Sequence, residues 1–297
     1  MKILIIGSSG FIGSHCIKYF LEKQCDVWQA DILPNNDKKF IQLKEVDTDF
    51  TKLFKNQKFD VCINASGSAN VGFSFNFPSI DFNLNVTNVQ KILNAIKEFN
   101  SDCKFINFSS AAVYGNPDVL PINENSTKKP LSPYGVHKLQ SEELLKYYHA
   151  FFGIKTCSLR VFSAYGEGLE KQLFWDLYKK YKKEQPITLF GTGNESRDFI
   201  YIDDLLQGLE LIITNANFRG ESINLSSGIE TSIGEAVRVF YYILNENIVF
   251  NFNGEVRQGD PLNWRADITK ISNFGFTPKV CIKEGLKKYI HWLKELE

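Results

Sequence analysis

The chain has 297 residues, 43% of them hydrophobic and 23% charged, enough for one large domain or two closely joined ones around a sizeable core. Its 34 basic residues are balanced by 34 acidic ones, which argues against a general nucleic-acid-binding or anionic-membrane surface. No apolar run reaches the roughly 20 residues that span a bilayer. The first apolar strand starts at Ile3 without a leader-like segment before it, so a cytoplasmic location is expected. The cysteines at 16, 25, 62, 103, 157 and 281 form no CxxC pair and no metal-type spacing. They read as reduced, mostly core-filling thiols, and no metal site is expected. The sequons at Asn64 and Asn107 fall in expected buried strands and are read as chance.

Along the first half, short apolar runs alternate with helical periods. ILII (3–6) precedes a helix from Phe11 to about Lys23, followed by strands at 26–31, 40–47, 59–66 and 104–110. Phe82, Val86, Val89, Leu93 and Ile96 recur at helical spacing and predict one amphipathic helix over 79–100. A further helix is expected over 132–152 and a strand over 155–163. Short, unalternating apolar strands separated by helices predict an α/β fold with a parallel sheet covered on both faces. After about residue 163, loops such as YGEGLE, FGTGNESRD and FNGEVRQGDP predict a smaller, less regular lobe over the C-terminal edge of the sheet.

The motif G-S-S-G-F-I-G places glycines at 7, 10 and 13, between a strand and a helix. Gly7 permits the sharp turn, Gly10 a close approach of backbone to a pyrophosphate, and Gly13 close helix–sheet packing. The helix N-terminus offers free N–H groups to phosphates. The motif by itself is also compatible with a plain tight turn. Asp31 closes the second strand, where a carboxylate accepts the adenosine ribose hydroxyls and repels a 2′-phosphate, which favours NAD over NADP. Asp47, at the end of the expected third strand, is a weaker candidate for an adenine contact.

Tyr134 and Lys138 lie four apart, on one face of the helix expected over 132–152. A phenol is a poor base at neutral pH. A neighbouring ammonium and a nicotinamide cation favour the phenolate. Ser110 ends the strand at 104–110, on the sheet edge where ligands bind, positioned to hydrogen-bond a substrate oxygen.

Taken together, Gly7, Gly10, Gly13, Asp31, Ser110, Tyr134 and Lys138 resemble an extended short-chain dehydrogenase/reductase. The likeness is to the UDP-glucose 4-epimerase-like, NAD-dependent sugar-nucleotide epimerase/dehydratase family, and it covers nearly the whole chain. Further matches are N-A-S-G (64–67), Asn85, S-S-A-A-V-Y-G (109–115), R-V-F-S-A-Y-G (160–166), R-D-F-I-Y-I-D-D (197–204) and R-Q-G-D-P (257–261). The resemblance implies a Rossmann-type doubly wound sheet over residues 1–163. It implies a substrate lobe mainly over 164–297, some of whose segments return to the sheet. It also implies that Tyr134 removes the proton of a sugar C4 hydroxyl while hydride moves to NAD, with Lys138 as electrostatic partner and ribose ligand and Ser110 as orienting donor.

Cofactor contacts are implied for Phe11, Ile12, Asp47, Thr48, Asn64, Ala65, Ser66 and Phe162. Substrate contacts are implied for Ser110, Ser163, Arg197, Arg257 and Asp260. Arginine occurs only at 160, 197, 219, 238, 257 and 265, and Arg197 and Arg257 stand at positions matching diphosphate ligands. Ala111 and Ala112 occupy the place of the Asp-Glu pair of 4,6-dehydratases, so elimination of water is not expected. Ser163 replaces an Asn of many 4-epimerases, which leaves the nucleotide and the sugar open. A 4-epimerase, a 4-dehydrogenase and a 4-keto reductase share the same first step. A non-catalytic NAD-binding or sensing protein is the alternative from another class. Surface-polysaccharide synthesis in a bacterium is the expected setting, and helices 79–100 and 132–152 match those that join dimeric relatives in a four-helix bundle, so a homodimer or larger oligomer is expected.

Overall fold

The computed structural model describes residues 1–45, 47–183, 186–244 and 248–297. Among these described residues, twelve strands run in chain order as β1 (Lys2–Ile6), β2 (Asp26–Asp31), β3 (Phe40–Gln42), β4 (Val61–Asn64), β5 (Lys104–Ser110), β6 (Thr156–Val161), β7 (Ser163–Tyr165), β8 (Ile187–Leu189), β9 (Ser196–Tyr201), β10 (Arg219–Leu225), β11 (Glu230–Ser232) and β12 (Phe250–Phe252). The α-helices are α1 (Phe11–Glu22), α2 (Thr51–Phe54), α3 (Val71–Asn76), α4 (Pro78–Phe82), α5 (Asn88–Phe99), α6 (Pro133–Phe152), α7 (Gln172–Lys183), α8 (Ile202–Asn215), α9 (Ile233–Leu244), α10 (Thr269–Ser272) and α11 (Ile282–Glu295).

Seven strands form one parallel sheet in the order β10-β6-β5-β4-β1-β2-β3. The period of two along a strand sends neighbouring side chains to opposite faces. Ile3 and Ile5 pack with Cys16 and Phe20 of α1 and with Leu205 and Leu209 of α8. Leu4 and Ile6 pack on the other face with Ile92, Leu93 and Ile96 of α5 and with Leu145 and Tyr148 of α6. Both faces are therefore dry, which is why the strands read as unbroken apolar runs.

From β3, at one edge, the chain returns to β4 on the other side of β1. The crevice beyond the C-terminal ends of β1 and β4 is thus the topological switch point, where ligands bind in such sheets.

In the C-terminal half, β10 lies at the edge of the sheet and α8 covers one face. The small sheets β11-β9-β7 and β12-β8 complete the lobe. One buried cluster runs from Ile3 through Phe174 and Phe240 to Leu293, so the lobe shares a core with the sheet.

Two elements differ from expectation. The third strand, expected over 40–47, stops at Gln42; the charged Lys44 and Glu45 follow, Val46 lies outside the described residues, and Asp47 has a positive φ of 51°. Asp47 therefore does not end a strand. The helix expected over 79–100 is interrupted, because Asn83–Thr87 is a π-turn between α4 and α5. The extra residue in that turn rotates the preceding face, and Phe82, expected in the core, is 39% exposed. Among the described residues, no helix is long and apolar enough to cross a membrane.

Candidate active site

The glycine turn lies at the switch point. Gly7 has φ +80°, and a Cβ there would come within 2.5 Å of the Ser66 nitrogen just beyond β4. A Cβ on Gly13 would lie 2.0 Å from the Gly7 carbonyl oxygen. Both glycines are thus required by the protein's own packing. Gly10 differs: its φ is −74° and a Cβ would meet only the Gly7 oxygen, at 3.4 Å. Nothing internal demands glycine there, and the missing side chain leaves the backbone open to a ligand.

Helix α1 begins at this point with no side-chain cap on Gly10. Its first-turn N–H groups, at Phe11, Ile12 and Gly13, lack intrahelical partners and face the crevice with the positive end of the helix dipole. Helix α6 makes the contrast, since Ser132 Oγ accepts a hydrogen bond from Gly135 N at 3.1 Å. Asp31 is buried; its Oδ2 accepts from Ser9 N at 2.8 Å and its Oδ1 from Leu33 N at 3.1 Å. Its remaining lone pairs are left for hydroxyl donors.

Asn64 donates from Nδ2 to Asn107 Oδ1 at 2.8 Å and accepts the Ser66 hydroxyl at 2.6 Å. Asn107 donates to Ser141 Oγ at 3.2 Å, and Ser141 donates to the Lys138 carbonyl at 2.7 Å. A continuous hydrogen-bonded chain thus joins the end of β4 to α6. Ser8 Oγ and both polar atoms of the Asn85 amide are buried without a partner. Such orphans are costly unless a ligand satisfies them. With an uncapped α1 and an open Gly10, they fit a dinucleotide along this crevice.

Ser110 ends β5 and caps a short 3₁₀ turn, Ala111–Val113, by accepting from Ala112 N at 3.1 Å. A Cβ on Gly135 would lie 2.6 Å from the Ala112 carbonyl oxygen, so this glycine lets α6 approach that turn and brings Tyr134 to Ser110. Burial pushes the Tyr134 phenol up to about 12, with the Ser110 side chain opposing the rise and the Asp81 carboxylate adding to it. Burial pulls the Lys138 ammonium down to about 8, against the Asp81 and Glu142 carboxylates. Lys138 Nζ donates to the Phe108 carbonyl at 2.9 Å and lies 5.8 Å from the Tyr134 ring centroid. The three residues picked from sequence therefore meet on the C-terminal edge of the sheet, held by a helix and a strand end.

The other expected residues are arranged less tightly. Phe162 packs against Trp264 with centroids 5.9 Å apart, and Ser163, partly buried, opens β7. Arg197 lies over Trp264, 5.6 Å from its centroid, and donates to the Ser196 and Leu262 carbonyls at 2.8 and 3.3 Å. Burial lowers its pKa, opposed by Asp260 and Glu195. Arg257 is exposed and stacks 4.2 Å from the Phe190 centroid. A Cβ on Gly259 would touch Val71 Cγ1 at 2.7 Å and Ser132 Cβ at 3.4 Å, so the loop 257–260 is pressed against α3 and the start of α6. Asp260, exposed, belongs to that loop. Ala65 N pairs with the Ile6 carbonyl at 2.8 Å. Asp47 points to solvent and pairs with Lys91 at 2.8 Å, while the Thr48 hydroxyl donates to the Lys44 carbonyl at 2.5 Å; neither side chain is directed at the crevice by these bonds.

Sequence reasoning passed over a buried network behind the site. Glu142 lies one turn beyond Lys138, and the same fourfold spacing that pairs Tyr134 with Lys138 would have flagged it. Arg160 Nη2 donates to Glu142 Oε2 at 2.6 Å, Arg160 Nε and Ser109 Oγ donate to Oε1 at 2.9 and 2.6 Å, and Ser222 Oγ donates to Oε2 at 3.1 Å. Arg160, followed from sequence as a rare arginine, is thus an internal clamp between β6 and α6. Asp198, in the R-D-F segment, accepts five hydrogen bonds, from Ser226 Oγ, Ser227 N and Oγ, Gly228 N and Ala266 N. It ties β9 to the loops beside Arg197.

The model of the "NAD dependent epimerase/dehydratase family" matches residues 3–226. A putative UDP-glucose 4-epimerase of Methanocaldococcus jannaschii is 32% identical, covering 98% of both chains. The CDP-paratose 2-epimerase of Salmonella typhi is 27% identical over the full length of both. The crystal structure of UDP-glucuronic acid 4-epimerase from Bacillus cereus, in complex with UDP-glucuronic acid and NAD, superposes with a TM-score of 0.90 at 30% identity and covers both chains completely. The matched segment contains the glycine turn, Asp31, Ser110, Tyr134 and Lys138 in one crevice. The chain belongs to the NAD-dependent epimerase/dehydratase family.

Proposed function

We propose that the protein is an NAD-dependent 4-epimerase of a nucleotide-activated sugar, acting in the cytoplasm. The observation that carries the reading is the convergence of Ser110, Tyr134 and Lys138 beside the uncapped start of α1. When bound, NAD supplies a hydride acceptor and, once reduced, a hydride donor. Tyr134 takes the proton of the sugar hydroxyl and later returns it. Ser110 orients the same oxygen. Lys138, held on the Phe108 carbonyl, keeps a positive charge one helical turn away and favours the phenolate. Burial holds the Tyr134 phenol up near 12, and positive charge that bound NAD would bring to the crevice would oppose that rise.

Ala111 and Ala112 offer no acid or base, so water is not eliminated from the sugar. The UDP-sugar 4-epimerases among the relatives favour epimerisation over net dehydrogenation or reduction. The 2-epimerase relative makes the carbon a matter of how the sugar lies against Tyr134. Asp31, Asn64, Ser66 and the first turn of α1 would hold the dinucleotide. Arg197 and Arg257, with Ser163 and Asp260 nearby in the lobe, would hold the diphosphate and sugar.

The test is NMR of UDP-glucose and UDP-glucuronic acid incubated with NAD-loaded enzyme. A C4 epimer should accumulate without reduced nicotinamide, and Tyr134→Phe should lower kcat by about a hundredfold or more. Stoichiometric reduced nicotinamide with no epimer would mean a dehydrogenase. Undiminished turnover in Tyr134→Phe would remove the proposed base.

A homodimer through α4–α6 is part of the same proposal. Phe77, Ile80, Phe82, Leu131 and Val136, and further along α6 Tyr147, Phe151 and Phe152, are all exposed on this side. A monomer seldom leaves such a series uncovered. Sedimentation should give the mass of two chains, and a single-chain mass at micromolar concentration would contradict it.

A further inference from the structure

A second buried charge lies against the catalytic helix. Asp81, on α4, is fully buried, and its Oδ2 meets His137 Nδ1 at 2.6 Å. Its Oδ1 is buried without a partner. His137 is three residues after Tyr134 and one before Lys138, nearly buried, with its ring edge-to-face on Phe82 at 5.4 Å. A carboxylate with one bare oxygen in a dry site projects its charge onto its neighbours, because little solvent screens it.

The surroundings narrow down which neighbours feel it. The other carboxylate on this stretch of α6, Glu142, is closed by Arg160, Ser109 and Ser222. Helix α3, the π-turn 83–87 and the end of β5 at 108–110 contribute no ionisable side chain. Lys138 makes no ion pair in the described structure and donates only to a carbonyl. The loop against α3 carries Arg257 and Asp260, both exposed to solvent, so Tyr134, Lys138 and His137 are the buried groups left to answer Asp81.

We propose that Asp81 and His137 form a charge-balancing pair that sets the ionisation of the Tyr134–Lys138 couple, Asp81 supplying a negative field and His137 controlling how much of it is felt. The two are positioning residues, since neither is assigned a contact with substrate. The inference rests on the reading of Tyr134 as the base. The sign follows from charge: the Asp81 carboxylate opposes the phenolate and supports the ammonium, so it raises the proton affinity of both. A donor at His137, most of all a cationic one, cancels part of that effect.

The experiment is the pH profile of kcat/KM for wild type, Asp81→Asn and His137→Leu, the latter leaving no donor opposite Asp81. Tyr134 must be ionised and Lys138 protonated, which gives a bell. Asp81→Asn should slide both limbs to lower pH, and His137→Leu should slide both to higher pH, each by a threefold or greater change in apparent proton affinity. A pair that is merely structural would lower the bell without moving it. Unmoved limbs, or limbs moved the same way in both variants, would overturn the proposal. Should a variant fail to fold, the coupling is read in the NAD-loaded wild type by NMR of labelled tyrosine and histidine. The Tyr134 resonance, assigned with Tyr134→Phe, should step at the pH where the His137 ring titrates, and its absence would overturn the proposal equally. If Tyr134→Phe itself remains active, the base assignment fails; if it is inactive and the bell does not slide, only this inference fails.

Discussion

The glycine turn at 7–13 and the arginine-bearing lobe around 197 and 257 are both suited to phosphate, and they are built in opposite ways. The turn holds its shape through backbone crowding. Gly7 and Gly13 sit where a Cβ would overlap main-chain atoms, and the donors are N–H groups of a helix start. In the lobe, long side chains lean on rings: Arg197 on Trp264 and Arg257 on Phe190. The first arrangement is rigid and fits one kind of group in one place. In the second, Arg197 is pinned by two carbonyls while Arg257 is exposed and keeps side-chain freedom, which under the proposed function lets it adjust to different nucleotides and sugars. Under the proposed function, this division gives the cofactor's phosphates a stiff seat and the substrate's phosphates a more adjustable one.

Substitutions can break that comparison, and the largest effect is expected at Gly13. Gly13→Ala places a methyl 2.0 Å from the Gly7 oxygen, which no side-chain adjustment relieves. The turn must shift, at a cost of about 1–3 kcal/mol or more. A thermal melt should show a clear loss of stability, together with loss of NAD binding. Gly10→Ala is the sharper case. Its Cβ has room, so the melt should move by no more than about 1 kcal/mol, a weaker N-cap accounting for the change. Titration with NAD should nevertheless show affinity down by roughly tenfold or more, as the methyl enters the ligand's space. Equal losses of stability in the two variants would erase the distinction drawn between them. The smallest effect is expected at Arg257. Being exposed, its removal in Arg257→Ala should leave the melt unchanged within about 0.5 kcal/mol. KM for the nucleotide sugar should rise roughly tenfold with kcat unchanged, the pattern of lost uniform binding.

Much of the sheet, and the meeting of Ser110, Tyr134 and Lys138, was legible in the sequence. Strand β5 matches its expected span, and α6 starts within a residue of expectation because Ser132 and Gly153 cap its two ends. Local signals decided these elements: apolar runs, a capping hydroxyl, a left-handed glycine. The misses share a different cause. β3 stops at Gln42 because an edge strand has a partner on one side only, and the following charged residues leave it. The π-turn at Asn83–Thr87 left no periodic trace, because one inserted residue in an otherwise regular stretch looks like noise on an apolar stripe. It also buries Asn85 with both amide atoms unpaired, at the crevice where π-turns often serve function. Asp81 and His137 are 56 residues apart, and neither stands out alone.

What the sequence determined by itself was set by residues with few alternatives. Only glycine tolerates φ +80° at Gly7 or the space at Gly13, and a tyrosine and lysine four apart on a helix must share a face. The fold class, the crevice at the glycine turn and the meeting of Ser110, Tyr134 and Lys138 followed from such constraints. The tertiary structure decided which charges answer one another. Arg160, in the sequence only one of few arginines, became a buried clamp on Glu142 once β6 lay beside α6. Asp81 met His137 once α4 packed on α6. Burial then displaced the Tyr134 and Lys138 protonation equilibria in opposite directions. Desolvation and long-range pairing depend on what the fold brings near, and no local pattern encodes them.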